Sequence, residues 1–324
     1  MMDNLVNPNR QVRRGHRLNH PWLSLLLTAG LAACAPTQDT TTSTGAGAGA
    51  GGNSSVSSPG GGGAGGYAEL PMSTARRLLH EEFGGSNCGP CTKSEVIVFD
   101  VLAAHPDRYV LLAYQLGSDP YVTTEAVKRR MGYLPPEANT YSVPYMHVDG
   151  VHGFHPVELN NSAGYQSSDF ASFDTPSPLE LSASHSLDGQ TITVDITMRV
   201  LSDVPSQDLR LHVAIIENLT SKNVGTNGQT KFHAVMKKMV PDHYGQALAA
   251  LSRGQEQSLT ASYTFQGDYT SETSFSDHVN HAVEHTVEEF EDLSAVVFIQ
   301  DAVTKQVHQS AWTGATSGAS QIAD

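Results

Sequence analysis

Residues Ser86 to Lys93 read S-N-C-G-P-C-T-K. The chain has three cysteines, and two of them, Cys88 and Cys91, stand three apart around Gly89-Pro90. Before this stretch the sequence has the look of a strand (76–83), and after it an apolar repeat carrying Val96, Ile97, Val101 and Leu102 predicts a helix that stops at His105-Pro106-Asp107. Pro90 suits the first turn of that helix and Gly89 allows the tight entry. A cysteine at such a position faces unpaired backbone N–H groups and the positive end of the helix dipole, both of which favour thiolate. In this spacing the first cysteine is usually the exposed one. Cys88 is therefore the expected attacking sulfur and Cys91 the resolving one. A short loop gains little entropic stability from closure, which argues against a pure staple but leaves an inert disulfide open. Zinc would need two further ligands, and no second C-x-x-C exists, so no metal or cofactor is expected.

The third cysteine has a different reading. Arg10, Arg13, Arg14 and Arg17 precede an uncharged run, Trp22–Ala33, too short to span a bilayer comfortably. It ends in Leu31-Ala32-Ala33-Cys34, which resembles a bacterial lipobox. That resemblance implies a signal peptide over 1–33, lipidation of Cys34, and attachment to the outer membrane. Cys88 and Cys91 then remain as a pair in an oxidising compartment. Residues 34–66 are mostly Thr, Ser, Gly and Ala and have little to bury. They read as a tether holding the folded part roughly 30 Å from the membrane.

The formal charge of −14 argues against nucleic acid as a partner, because phosphate backbones need a basic surface. From 67 to 173 the order strand, helix, strand (Tyr109–Gln115), helix (Thr123–Met131), then a hairpin about Asp149-Gly150, is an α/β pattern. From 174 to 316 the period changes. Ile192, Val194, Ile196, Met198 and Val200 alternate with polar residues, and 209–218, 258–265, 293–300 and 307–312 are further strand candidates. That pattern predicts an antiparallel β-sandwich, with 317–324 as a tail.

Cys-Gly-Pro-Cys after a strand and opening a helix resembles the thioredoxin superfamily. The resemblance implies that Val143-Pro144 is a cis-proline site that docks an extended partner chain, together with Gly89 and Pro90. It also implies that Glu82, six residues before Cys88, is a buried acid that moves the second cysteine's proton; a surface glutamate is the competing reading. Asn87 departs from the pattern, since thioredoxins usually have tryptophan there. Taken with S-D-P-Y, V-P-Y-M-H-V-D-G, L-H-V-A-I-I-E-N, A-V-V-F-I-Q-D and K-Q-V-H-Q-S-A, the chain from Arg76 to Ala311 is similar to the outer membrane protein 28 family of bacterial lipoproteins. That implies an envelope location and an immunoglobulin-like C-terminal module. The fold class expected is thus an α/β thioredoxin-like domain followed by an all-β immunoglobulin-like sandwich.

The functional expectation is thiol–disulfide exchange with envelope proteins through Cys88 and Cys91. The alternative is a non-enzymatic envelope binding or adhesion lipoprotein with a vestigial disulfide. One histidine group is a candidate metal site: His278, His281 and His285 share a helical stripe if 277–290 is a helix, and a solvated helix face explains that pattern as well. His147, His152 and His155 sit about the hairpin.

Overall fold

The computed structural model describes residues 71–159, 175–204, 206, 208–223, 225–266, 285–314 and 319–322. Strand β1 (Leu78–Gly84) leads into helix α1 (Cys91–Ala103), and β2 (Tyr109–Gln115) returns parallel to β1, Leu78 opposite Tyr109 and Gly84 opposite Gln115. Helix α2 (Thr124–Met131) follows. Its N-cap is Thr123, whose hydroxyl accepts from the Ala126 amide, and Lys128, Arg129 and Arg130 fill its last turn. β3 (Tyr145–Val148) and β4 (His152–Phe154) form the expected hairpin, with positive φ at both Asp149 (49°) and Gly150 (74°).

The remaining strands are β5 (Leu179–Asp188), β6 (Thr191–Val200), β7 (Leu209–Thr220), β8 (Phe232–Val240), β9 (Gln246–Ala247), β10 (Glu256–Thr264), β11 (Leu293–Asp301) and β12 (Val307–Trp312). They assemble two sheets. One has the order β12-β11-β7-β8-β2-β1-β3-β4 with β9 paired to β7; the other is β10-β6-β5.

Two cores lie on opposite faces of β7 and β11. Leu211, Val213 and Ile215, with Ala295, Val297 and Ile299, pack against Ile192, Val194, Ile196 and Met198 of the small sheet. The alternate residues Ala214, Ile216, Val296 and Phe298 join the core built on β1, β2, α1 and α2. Strands covered on both sides have no solvated face, which is why β11 reads L-S-A-V-V-F-I-Q-D without alternation. β6, covered on one side, alternates.

The expected fold class is overturned. The described residues hold two helices, of 13 and 8 residues, against twelve strands, so the chain is mostly β and not a clear α/β thioredoxin fold. Nor is the β-rich part a self-contained sandwich, because β8 pairs antiparallel with β7 and parallel with β2 at Ala113 and Val235 and carries one sheet through both regions. The expected junction at Phe173/Asp174 lies outside the described residues. β8 escaped the sequence reading because F-H-A-V-M-K-K-M-V puts two lysines in a strand. Lys237 is buried there, its Nζ 3.0 Å from Glu217 and 3.5 Å from the centre of the Tyr121 ring.

Other expectations also shift. Val96 is 63% exposed, and the buried side of α1 is Cys91, Ser94, Val98, Val101 and Leu102. The helical condition set for 277–290 is not met over its described part, 285–290, where a turn and a bend lead into a short 3-10 turn at Phe290–Asp292. No helix among the described residues is long and apolar enough to cross a membrane.

Candidate functional site: the Cys88–Cys91 disulfide and its surroundings

Cys88 and Cys91 are joined in a disulfide. Cys88 lies in the loop between β1 and α1 and is half-buried, whereas Cys91 opens the helix and is 0% exposed. Gly89 and Pro90 between them are exposed, and Pro90 holds the N-cap position at φ −74°. The turn is closed by the Cys91 amide donating to the Cys88 carbonyl (3.1 Å) and the Thr92 hydroxyl donating to the Gly89 carbonyl (3.1 Å). Of the two cysteines, Cys88 is the one that reaches solvent.

The buried sulfur rests against β1. A Cβ on Gly84 would stand 3.5 Å from Cys91 Sγ. Glu82 lies two residues earlier in the same strand, so its side chain shares that face. Glu82 is 4% exposed, and burial pushes its carboxyl well above the usual range; the charge of Glu95 pushes it further. Glu95 is one helical turn beyond Cys91, and burial raises its own carboxyl to about 7, against the lowering effect of a hydrogen bond from the Gln229 amide. Two carboxyls thus lie on the elements that carry Cys91 and Gly84, each raised by burial, and the charge of Glu95 works against ionisation of Glu82.

The Val143–Pro144 peptide bond is cis. β3 pairs antiparallel with β1 with Phe83 opposite Tyr145, so one further step sets Pro144 opposite Gly84, the residue beside Cys91. Val143 is half-buried against the core and Pro144 is buried. His155 donates from Nδ1 to the Pro144 carbonyl at 2.8 Å, which sets its tautomer, and its ring meets Tyr145 edge-on. His147 is on the opposite face of β1 and β3 from Cys91. It stacks on Tyr133 with ring centres 3.9 Å apart, and burial holds its pKa at about 4. His152 is exposed on the hairpin.

The sequence reading missed the segment after β7. Gly225 approaches so closely that a Cβ there would stand 2.2 Å from the Ser86 carbonyl oxygen. The Asn227 amide N–H donates to that same carbonyl (3.0 Å), and its side-chain amide donates to the carbonyls of Gly85 and Cys88 (both 3.3 Å). Asn87, the residue standing in place of tryptophan, accepts from the Thr226 amide (3.2 Å) and donates to the Ser118 carbonyl (3.0 Å). Asp119 accepts from the Ser86 amide at 2.8 Å. Turn chemistry, T-N-G-Q, was the only signal available for this latch, and a turn does not announce what it touches.

The remaining sequence-predicted residues stand apart. Cys34, His278 and His281 lie outside the described residues. His285 is buried, not on a solvated face, and its Nδ1 is 2.7 Å from the Lys237 carbonyl oxygen. Among the described residues no group of three or more His, Cys, Asp or Glu is placed to hold a metal ion.

No protein-family model matches the chain, and no curated protein sequence matches it. Among solved structures, HBP35 of Porphyromonas gingivalis aligns over 78% of this chain and 79% of its own, at 12% identity and a TM-score of 0.55. That level of likeness shows a shared fold. A protein from Agrobacterium tumefaciens aligns at 13% identity over 75% of this chain and 96% of its own, with a TM-score of 0.47. A domain of the outer membrane lipoprotein Omp28 from Porphyromonas gingivalis aligns at 19% identity over 42% of this chain and 86% of its own, with a TM-score of 0.28. The chain therefore has structural neighbours that include an outer membrane lipoprotein domain, and the HBP35 likeness alone carries the fold.

Proposed function

We propose that the protein exchanges disulfides with other polypeptides through Cys88 and Cys91, while anchored to the outer membrane by lipid on Cys34. The observation that carries this reading is the asymmetry of the disulfide. One sulfur is half-exposed in a loop and the other fully buried at a helix start, beside two carboxyls of raised affinity for protons.

Starting from the disulfide, a thiolate of a partner dithiol attacks Cys88 Sγ. The Cys88–Cys91 bond breaks and Cys91 leaves with the electron pair. A buried thiolate is costly, and the protonated member of the Glu82–Glu95 pair supplies its proton. The partner's second thiolate then attacks the partner sulfur of the mixed disulfide, and Cys88 leaves as thiolate. That thiolate is favoured by the free N–H groups at the start of α1. The partner has lost two electrons and the cysteine pair has gained them; the reverse sequence reduces a partner disulfide. Pro144, in register with Gly84 beside Cys91, and the half-buried Val143 before it would line the path of the partner backbone. The envelope attachment rests on the sequence around Cys34.

Cys91→Ser protein incubated with envelope extract tests the exchange. Mixed disulfides through Cys88, released by reductant, are expected. Their absence, together with failure of the wild type to reduce insulin, would favour the non-enzymatic binding protein instead.

A further inference from the structure

Away from the cysteines, a cavity of about 350 Å³ opens between the end of α2, the start of β7 and the β11–β12 turn. Its wall carries Lys128, Arg129, Lys305, His212 and His243, and no aspartate or glutamate. In a chain with 33 acidic and 19 basic residues this local excess of positive charge runs against the composition.

Not all of the charge is free. Arg129 is committed to Glu81, donating to both carboxylate oxygens at 2.7 and 3.0 Å. Neither Lys128 nor Lys305 has a carboxylate within ion-pair distance among the described residues. His212 is 2% exposed, lies flat on Phe298, and its Nδ1 has no hydrogen-bond partner. Gly245 packs closely on the ring, since a Cβ there would stand 2.8 Å from Cε1 and 2.9 Å from Nδ1 of His212. The histidines respond to the same field. His212 is held well below its ordinary range by burial and by Arg129, Arg210, Lys305 and His243. Burial, Lys128 and Arg129 lower His243, while Asp242 and Glu125 oppose them.

We propose that this cavity binds a small oxyanion of the phosphate class between the ammonium groups of Lys128 and Lys305, with His243 as a further donor. Two ammonium groups without a carboxylate at ion-pair distance match a dianion; burial and Arg129 weigh against the charge on Lys305, and Asp301 supports it from beyond that distance. Lysine binds phosphate as a compact point charge with three donors. A phosphate monoester carries about −1.5 to −2 charge at pH 7, and inorganic phosphate somewhat less.

The test is titration of the full chain with inorganic phosphate at constant ionic strength, followed by the His243 imidazole resonances. Glycerol phosphate serves as a second arm. Saturable binding is expected, weakened about tenfold by Lys305→Gln and by Lys128→Gln, with the thermal midpoint of Lys305→Gln unchanged. Tighter binding of glycerol phosphate would identify a phosphorylated organic ligand, and equal or weaker binding the free anion. If Lys128 only serves the carbonyl end of α2, Lys128→Gln loses stability and Lys305→Gln binds as the wild type does. That result, or no saturable binding of either compound, overturns the proposal.

Discussion

The side-chain amide of Gln229 donates a hydrogen bond to the carboxylate of Glu95, one helical turn beyond Cys91. Gln229 comes from the segment that follows β7, 134 positions away in sequence. The strand system of one half of the chain thus reaches the acid–base chemistry expected in the other.

The first prediction concerns this contact. The Gln229 hydrogen bond favours ionised Glu95, so Gln229→Leu raises the affinity of the carboxyl pair for its proton. Glu95→Gln removes the charge that raises Glu82 and lowers it. The pH profile for reduction of the Cys88–Cys91 disulfide by dithiothreitol is expected to move by about one unit in opposite directions in the two variants. Profiles superimposable on the wild type would remove the pair from the proton path.

The second concerns stability and pH. Glu95 and Asp149 are raised by burial from 4.5 and 3.8 to about 7, so the fold favours their protonated forms. Their contribution is complete below pH 3.8 and is lost as pH rises through 7. His80 and His147, lowered by burial from 6.5 to about 4, act in the other sense. Theirs is complete above pH 6.5 and lost as pH falls through 4. Glu95→Gln removes one acid-favouring group, so it is expected to stabilise the protein by on the order of 2 kcal/mol at pH 8 and to change little at pH 4. Urea unfolding at the two pH values measures the difference.

The third concerns the latch. In Gly225→Ala the new Cβ meets the Ser86 carbonyl oxygen, and the segment must withdraw, breaking the Asn227 hydrogen bonds to Ser86 and Cys88. A loss of roughly 1–3 kcal/mol is expected, with faster reduction of the disulfide. Gly89→Ala is the control, since nothing lies within 4 Å of a Cβ there. Calorimetry and a reduction time course read both effects.

The fourth concerns the ion pair that lets β8 lie inside. Lys237→Met leaves the Glu217 carboxylate buried without its cation, and about 3–5 kcal/mol of stability is expected to go. In Glu217→Gln/Lys237→Met most of that loss returns, because no charge is left unpaired. Chemical denaturation of the single and double variants decides it; an additive double variant would show that the two side chains do not act as a pair.

Much of the local structure was legible along the chain. The helix expected over Thr123–Met131 and found over Thr124–Met131, Asp149-Gly150 as a hairpin turn, the alternation in β6, and the helix opening at the cysteine motif each depend on residues within a few positions of one another. The stripe of α1 was misjudged because the apolar residues Val96 and Ile97 suggested a buried side, whereas the fold buries Ser94 and Val98 and leaves Val96 in solvent.

The sequence by itself determined the elements around the cysteines, the hairpin turn, the alternation of β6 and which two sulfurs pair, because turns and spacings act over a turn of helix or a step of strand. Only the tertiary structure decided that the sheet passes unbroken from the cysteine-bearing strands into the β-rich half. That outcome rests on Lys237 finding Glu217 and Tyr121 across the fold, and burial of a charge becomes tolerable only once its distant partner is in place. The latch at Asn227 and the Gln229–Glu95 contact were decided in the same way, by segments that meet only after the chain has closed.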